Sequence, residues 1–115
     1  MSLPPLRRGA LVWVDLDPTK GHEQAGRRPA VVIASDGYLG NVPGLVIVVP
    51  VTTTDRGWPH HVRIEGRAVE LARPSFAMTE QPRTIARSRI TGHAGTVDDA
   101  TMRAIEQWLR DFTDL

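Results

Sequence analysis

Apolar residues fall in short, dense runs separated by glycine- and proline-rich breaks, and only the C-terminal stretch changes period. Residues 11–16 alternate loosely and hold two valines and a tryptophan, the pattern of a strand. Asp17-Pro18 ends it, because proline has no N–H to give a ladder. Residues 30–34 and 45–51 are nearly continuous β-branched runs, which predicts strands covered on both faces. Residues 35–44 carry three glycines, Asn41 and Pro43, and read as the loop between them. Residues 61–64 alternate, and Glu65-Gly66 predicts a hairpin pairing them with 69–71. Residues 84–90 suit a further short strand. From Thr96, a candidate cap, the period lengthens. Asp98 and Asp99 suit the positive end of a helix, and Met102, Ile105, Leu109 and Phe112 form one apolar stripe. Several short strands followed by one helix predict a mainly β chain closed into a compact barrel.

Composition narrows the class without naming a function. A length of 115 residues suits one domain, taken as 1–115, and 41% hydrophobic with 23% charged residues is ordinary for a globular chain. The absence of cysteine excludes disulfides, a thiol nucleophile and thiolate metal sites. The first ten residues have no apolar core of a signal peptide, and the run at 45–51 is too short for a bilayer, so a soluble, cytoplasmic protein with no membrane partner is expected. A net charge of +1 says little about a polyanionic partner, so any such case rests on local clusters.

The most informative cluster is the glycine-punctuated stretch at 19–28, read as a loop. It sets Lys20, His22, Glu23, Gln24, Arg27 and Arg28 around Gly21 and Gly26, and Pro29 then pins the entry to a buried strand. Arg28, next to that proline, is suited to grip a phosphate with both arms of its guanidinium. A polar, solvated loop accounts for the spacing equally well.

The combined strings WVDLDP at 13–18, GHEQAGRRPAVVI at 21–33, VPVTT at 49–53 with Trp58-Pro59, and EQPRTI at 80–85 ahead of a helix resemble the MazF/PemK toxins. The resemblance covers nearly the whole chain. It implies an SH3-like small barrel, CcdB/MazF-like, that acts as a homodimer. It implies sequence-specific, metal-independent cleavage of single-stranded RNA, with no cofactor, and a cognate antitoxin whose extended acidic tail covers the RNA site. By the same resemblance Arg28 and Thr52 are the catalytic pair, while Glu23 and Gln24 contact RNA. Thr53, Gln81 and the other polar loop residues fall within the same motifs. One departure stands out: Glu80 occupies a position where the family usually has aspartate. Met78 and Thr79 before it are also unusual.

RNA can be cut by its own 2′-hydroxyl if the protein removes that proton, stabilises the pentavalent phosphorus and protonates the leaving 5′-oxygen. Arg28 suits the second task, being permanently charged and therefore a poor base. Thr52 can donate a hydrogen bond to a phosphate oxygen, and Glu23 is the most reasonable base, though contact with a nucleobase edge fits it as well. Neighbouring strand residues point to opposite faces, so His60 and His61 are not expected to share a site. They and His93, placed in a polar turn, read as solvated, whereas His22 is a candidate RNA contact. No helical pair of ligands with a third nearby is evident, so no metal site is expected. On a strand, Arg83, Arg87 and Arg89 would share one face, either as a phosphate track or as a charged edge. Trp58 suits base stacking or a barrel rim, and Trp108 lies off the helix stripe. Two other classes compete: a barrel of this type that binds a protein such as gyrase, which has no use for the Arg28 and Thr52 pair, and a peptide adaptor, which needs more than 5% aromatic residues.

Overall fold

The computed structural model describes residues 5–16 and 26–114. Strand β1 (Ala10–Leu16) pairs with β2 (Gly26–Val32), and a short helix α1 (Asp36–Asn41) leads to β3 (Leu45–Thr52). Then come β4 (His61–Arg63), β5 (Phe76–Met78), β6 (Arg83–Ala86), a single 3₁₀ turn (Arg87–Arg89), β7 (Ile90–Thr96) and helix α2 (Asp99–Thr113). The seven strands form one antiparallel sheet of order β4-β5-β3-β2-β1-β7, with β6 also on β3. The segment between β4 and β5 lies back over β7, where the Glu70 N–H donates to the Ala94 carbonyl at 2.8 Å, and this brings the two ends of the sheet together as a small SH3-like barrel.

Both faces of the central strands are covered, as their unbroken apolar runs predict. Val12, Val14, Ala30, Val32, Val46 and Val48 pack on one face with Leu39 of α1 and Ile85 of β6. Leu11, Val31, Val49 and Val51 pack on the other with Met102 and Ile105 of α2. Arg8 ties the chain start to this frame through a 2.7 Å ion pair with Glu106.

Four expectations are corrected by the fold. Residues 35–44 are not all loop: the Ser35 hydroxyl accepts from the Tyr38 N–H at 3.0 Å and caps α1, a stretch too glycine-rich to read as helix. The strand β4 pairs with β5, not with 69–71, because the chain leaves the hairpin path at Gly66 and crosses to β7. Asp98, not Thr96, caps α2, accepting from the Thr101 N–H at 2.8 Å, while Thr96 ends β7. Residues 84–90 are not one strand. Pairing with β3 stops at Ala86, and the 3₁₀ turn swings the chain into β7. Arg83, Arg87 and Arg89 therefore do not share a strand face.

Arg87 explains that turn. Its Nε donates to the Leu45 carbonyl at 2.8 Å and its Nη2 to the carbonyls of Leu39 and Val42, so one guanidinium satisfies three backbone groups around the end of α1. Hydrogen bonds from a charged donor contribute about 1.5–3 kcal/mol each where the acceptors would otherwise be left unpaired. Arg87→Ala is expected to lower stability by about 2 kcal/mol or more, read as a shift in the urea unfolding midpoint at unchanged slope; a shift within error would show that water replaces the guanidinium freely.

Candidate functional site

The ladder between β2 and β3 ends at the pair Ala30↔Pro50, with Pro29 immediately beyond. Neither proline has an N–H to extend it, so the two strand ends part there. Arg28 on β2 and Thr52 on β3 each lie two residues beyond that last pair, where the strands have parted. Residues two apart on a strand share a face, so both stand on the side of Ala30. An open cleft of about 530 Å³ occupies the gap, lined by Arg27, Arg28 and Arg56 and by Thr52, Thr53 and Thr54, with Met78 as an apolar wall. The expected strand at 30–34 begins four residues early: β2 starts at Gly26, so Arg27 and Arg28 belong to it and not to the loop read at 19–28, and the cleft opens at Pro29.

The two neighbouring arginines are held differently. Arg27 lies on the outer face, its Nε donating to the Thr91 hydroxyl at 3.0 Å and its guanidinium 5.0 Å from the centre of the Trp13 ring. Gly92 gives it room, since a side chain there would meet both Trp13 and Arg27. Arg28 is half-buried on the cleft side. The Thr52 hydroxyl oxygen accepts from the Thr54 N–H at 3.1 Å, which orients the side chain and leaves its proton to donate. Among the described lining residues there is no carboxylate and no imidazole. By the composition of its described residues the cleft suits an anion, and these residues offer a divalent cation no ligand set.

Lys20, His22, Glu23 and Gln24 lie outside the described residues. Gln81 stands on the tight turn Met78–Gln81, where its N–H donates to the Met78 carbonyl at 3.0 Å and its side chain to Glu80 at 3.2 Å. Arg83 is exposed on β6, and Arg89 donates to the Asp15 carbonyl at 3.2 Å. The structure thus gathers Arg28, Thr52, Thr53 and Arg27 about one cleft, engages Arg87 in the frame, and places Arg83 and Gln81 off the cleft lining. Sequence reasoning missed Arg56, which lines the cleft and lies 5.3 Å from the centre of the exposed Trp58 ring. The signal was present in its place three residues after Thr53, on the same polar loop.

A second cluster also contradicts its expected separation. His60 is in a turn closed by the His61 N–H donating to the Trp58 carbonyl at 3.1 Å, so the pair is not extended and both rings converge. The Nε2 of His61 is 3.1 Å from one Glu80 oxygen, and that of His60 is 3.6 Å from the other. Trp58 stacks on His60 with ring centres 5.4 Å apart, and Trp108 and Phe112 of α2 meet the same imidazole edge-on. Phe112 is half exposed and faces this cluster, so the helix stripe delivers only Met102, Ile105 and Leu109 to the core. Thr79, fully buried, donates its hydroxyl to the His60 carbonyl at 2.7 Å and anchors the turn, which accounts for an otherwise unusual residue. Desolvation pushes the Glu80 pKa up, but hydrogen bonds from His61, its own N–H and Gln81 outweigh that and hold it below the ordinary carboxylate value. His93 lies in β7, not in a turn, its Nδ1 accepting from the Gly95 N–H at 3.3 Å.

Fold and cleft together define a small antiparallel barrel that presents an anion-binding cleft where one strand pair parts. Comparison with known proteins places it further. Residues 7–113 match the family described as PemK-like, MazF-like toxin of type II toxin–antitoxin system. The endoribonuclease toxin MazF of Escherichia coli is 41% identical over 99 residues, 85% of each chain, and the endoribonuclease EndoA of Bacillus subtilis is 31% identical over 91% of each. A crystal structure of MazE–MazF from Deinococcus radiodurans superposes with a TM-score of 0.80 at 26% identity, covering 100% of this chain and 99% of that one. The chain belongs to the PemK/MazF toxin family and has its CcdB/MazF-like fold.

Proposed function

We propose that this chain is an endoribonuclease toxin that cuts single-stranded RNA, with the cleft between the ends of β2 and β3 as its active site. The observation that carries the reading is the register itself, which sets Arg28 and Thr52 on one face of a cleft with three arginines. Arg28 stabilises the charge that builds on phosphorus, Thr52 orients a phosphate oxygen through its hydroxyl, and Arg56 extends the positive wall along the strand. The RNA 2′-hydroxyl attacks the adjacent phosphorus and the 5′-oxygen leaves, so the products carry a 2′,3′-cyclic phosphate and a 5′-hydroxyl. Glu23 takes the 2′-proton, and the leaving 5′-oxygen, hydrogen-bonded by Arg28, takes one from solvent. Lys20, His22, Gln24, Thr53 and Gln81 contribute contacts along the strand. The reaction in this reading uses no metal or cofactor, which is supported by a described cleft lining that carries arginines and no carboxylate or imidazole.

The MazE–MazF relative supports a cognate antitoxin as partner. Its tail would be extended and acidic, because it competes with a polyanion for Arg28 and Arg56. The working unit in this reading is a cytoplasmic homodimer; no helix among the described residues is long and apolar enough to cross a membrane. Purified protein incubated with a long unstructured RNA in EDTA should cleave it at a short recurring sequence, and end-mapping should give cyclic phosphate and 5′-hydroxyl termini. A strict magnesium requirement, or 5′-phosphate products, would overturn the mechanism.

A further inference from the structure

His60, His61 and Glu80 form a ligand set apart from the cleft, on the turns that follow β3 and β5. The ligating atoms of all three lie within 4.8 Å of one another. Four ligands set tetrahedrally at about 2.1 Å from an ion stand about 3.4 Å apart. His61 is 3.1 Å from one Glu80 oxygen and His60 3.6 Å from the other, so each imidazole is within about half an ångström of that spacing from the carboxylate. We infer that this cluster is a zinc site, with the Nε2 atoms of His60 and His61 and the Glu80 carboxylate as three ligands and water as the fourth. Two imidazoles and one carboxylate suit a borderline ion such as zinc and not magnesium or calcium, which take all-oxygen shells.

The surroundings favour a preformed site. The His61 side chain is only 3% exposed, and its ring is wedged against Trp58 at 4.9 Å and against His60 at 5.0 Å. Trp108 and Phe112 wall the other side of His60. Thr79 holds the His60 carbonyl, so the backbone under the first ligand is fixed to the turn that carries the third. One feature limits affinity. Binding at Nε2 leaves the His61 proton on Nδ1, which is buried with no hydrogen-bond partner among the described residues. The lost second-shell partner lowers the expected affinity relative to a site whose ligands are all hydrogen-bonded.

Zinc here would fasten the loop at 53–60, which carries Thr53, Thr54 and Arg56 of the cleft, to the turn Met78–Gln81. It takes no part in the proposed cleavage, so activity in EDTA and zinc uptake are separate results. The test is calorimetric titration of untagged, full-length protein with zinc chloride, with magnesium chloride as comparison. One zinc per chain is expected, with heat lost at least tenfold in affinity for His60→Ala and Glu80→Gln. The variants His22→Ala and His93→Gln remove the other two imidazoles and should bind as wild type. His60 and Glu80 are partly exposed, so both variants should melt cooperatively without metal, and zinc should raise the midpoint of wild type by several degrees but not of His60→Ala. Cobalt(II) in place of zinc should give the strong visible absorption of a low-coordinate ion. No zinc uptake, equal uptake of magnesium, or uptake unchanged by both His60→Ala and Glu80→Gln would overturn the site.

Discussion

Arg28→Ala should lower the single-turnover rate of RNA cleavage by about 10²–10³, the usual cost of removing one donor from a site where transition-state charge develops. Arg27→Ala should lower it far less, although the two arginines are adjacent and equally charged. The difference lies in the pleat. Both arginines line the cleft, but Arg28 is on the face of Ala30, whereas the guanidinium of Arg27 is held on Trp13 and Thr91, on the other side of the pleat. Its removal should instead cost stability, about 0.5–1 kcal/mol from the lost contact of the guanidinium with the indole. Each variant thus has its own signature, one in rate and one in unfolding midpoint. Rates measured on one short RNA, beside urea denaturation of the same preparations, separate them. Equal losses of rate at both positions would mean that the arginines act as a diffuse basic patch and that the register has no catalytic consequence.

Much of this site was legible before any fold was known, and the reason is local. Pro29 and Pro50 are punctuation that a sequence displays openly: a ring nitrogen cannot carry a ladder forward, so strands flanked by proline must end or part. What the sequence cannot display is which proline faces which. That depends on the β2–β3 register, and with Ala30 paired to Pro50 the strand ends that carry Arg28 and Thr52 flank one cleft. The resemblance implies that they act as a catalytic pair, and what the structure adds is that both line one cleft. The long apolar runs were equally plain, because a strand covered on both faces has no polar positions to alternate with.

The misreadings share a cause as well. Charge in a sequence does not say what it faces. Arg87 looked like part of a phosphate track and instead closes three backbone carbonyls around the end of α1, a helix that its two glycines concealed. His60 and His61 looked divergent on the assumption of an extended backbone, and a turn of one hydrogen bond reverses that. Thr79 and Met78 looked unexplained until the turn placed the first beneath His60 and the second in the cleft wall. In each case the deciding contact joins residues far apart in sequence or depends on a single backbone turn, and period and composition carry neither.

Gly95→Ala should be the most damaging single change outside the active site. Gly95 holds φ at +113°, in β7, with the backbone of Ala68 laid directly against it. An added Cβ would fall within 2.7 Å of the Ala68 carbonyl carbon and closer still to its oxygen, and both belong to the main chain, which cannot rotate aside as a side chain could. The segment carrying Ala68 is the one that closes the barrel, through Glu70 to Ala94 and through the Asp98 N–H to Glu65 at 3.0 Å. Relieving the overlap means lifting that segment and losing those bonds, and alanine at this φ adds its own strain of about 1–3 kcal/mol. The total should exceed about 4 kcal/mol, a large part of the 5–15 kcal/mol that holds a small domain together. Gly40→Ala is the matched control. Gly40 lies in α1 with nothing near the position a Cβ would take, so alanine there should stabilise by about 0.5–1 kcal/mol. Urea denaturation of both variants decides the matter. A Gly95→Ala protein that unfolds within 1 kcal/mol of wild type, a margin well below any backbone overlap, would show that the β4–β5 segment rides loosely on β7 and that the barrel is held by its strands alone.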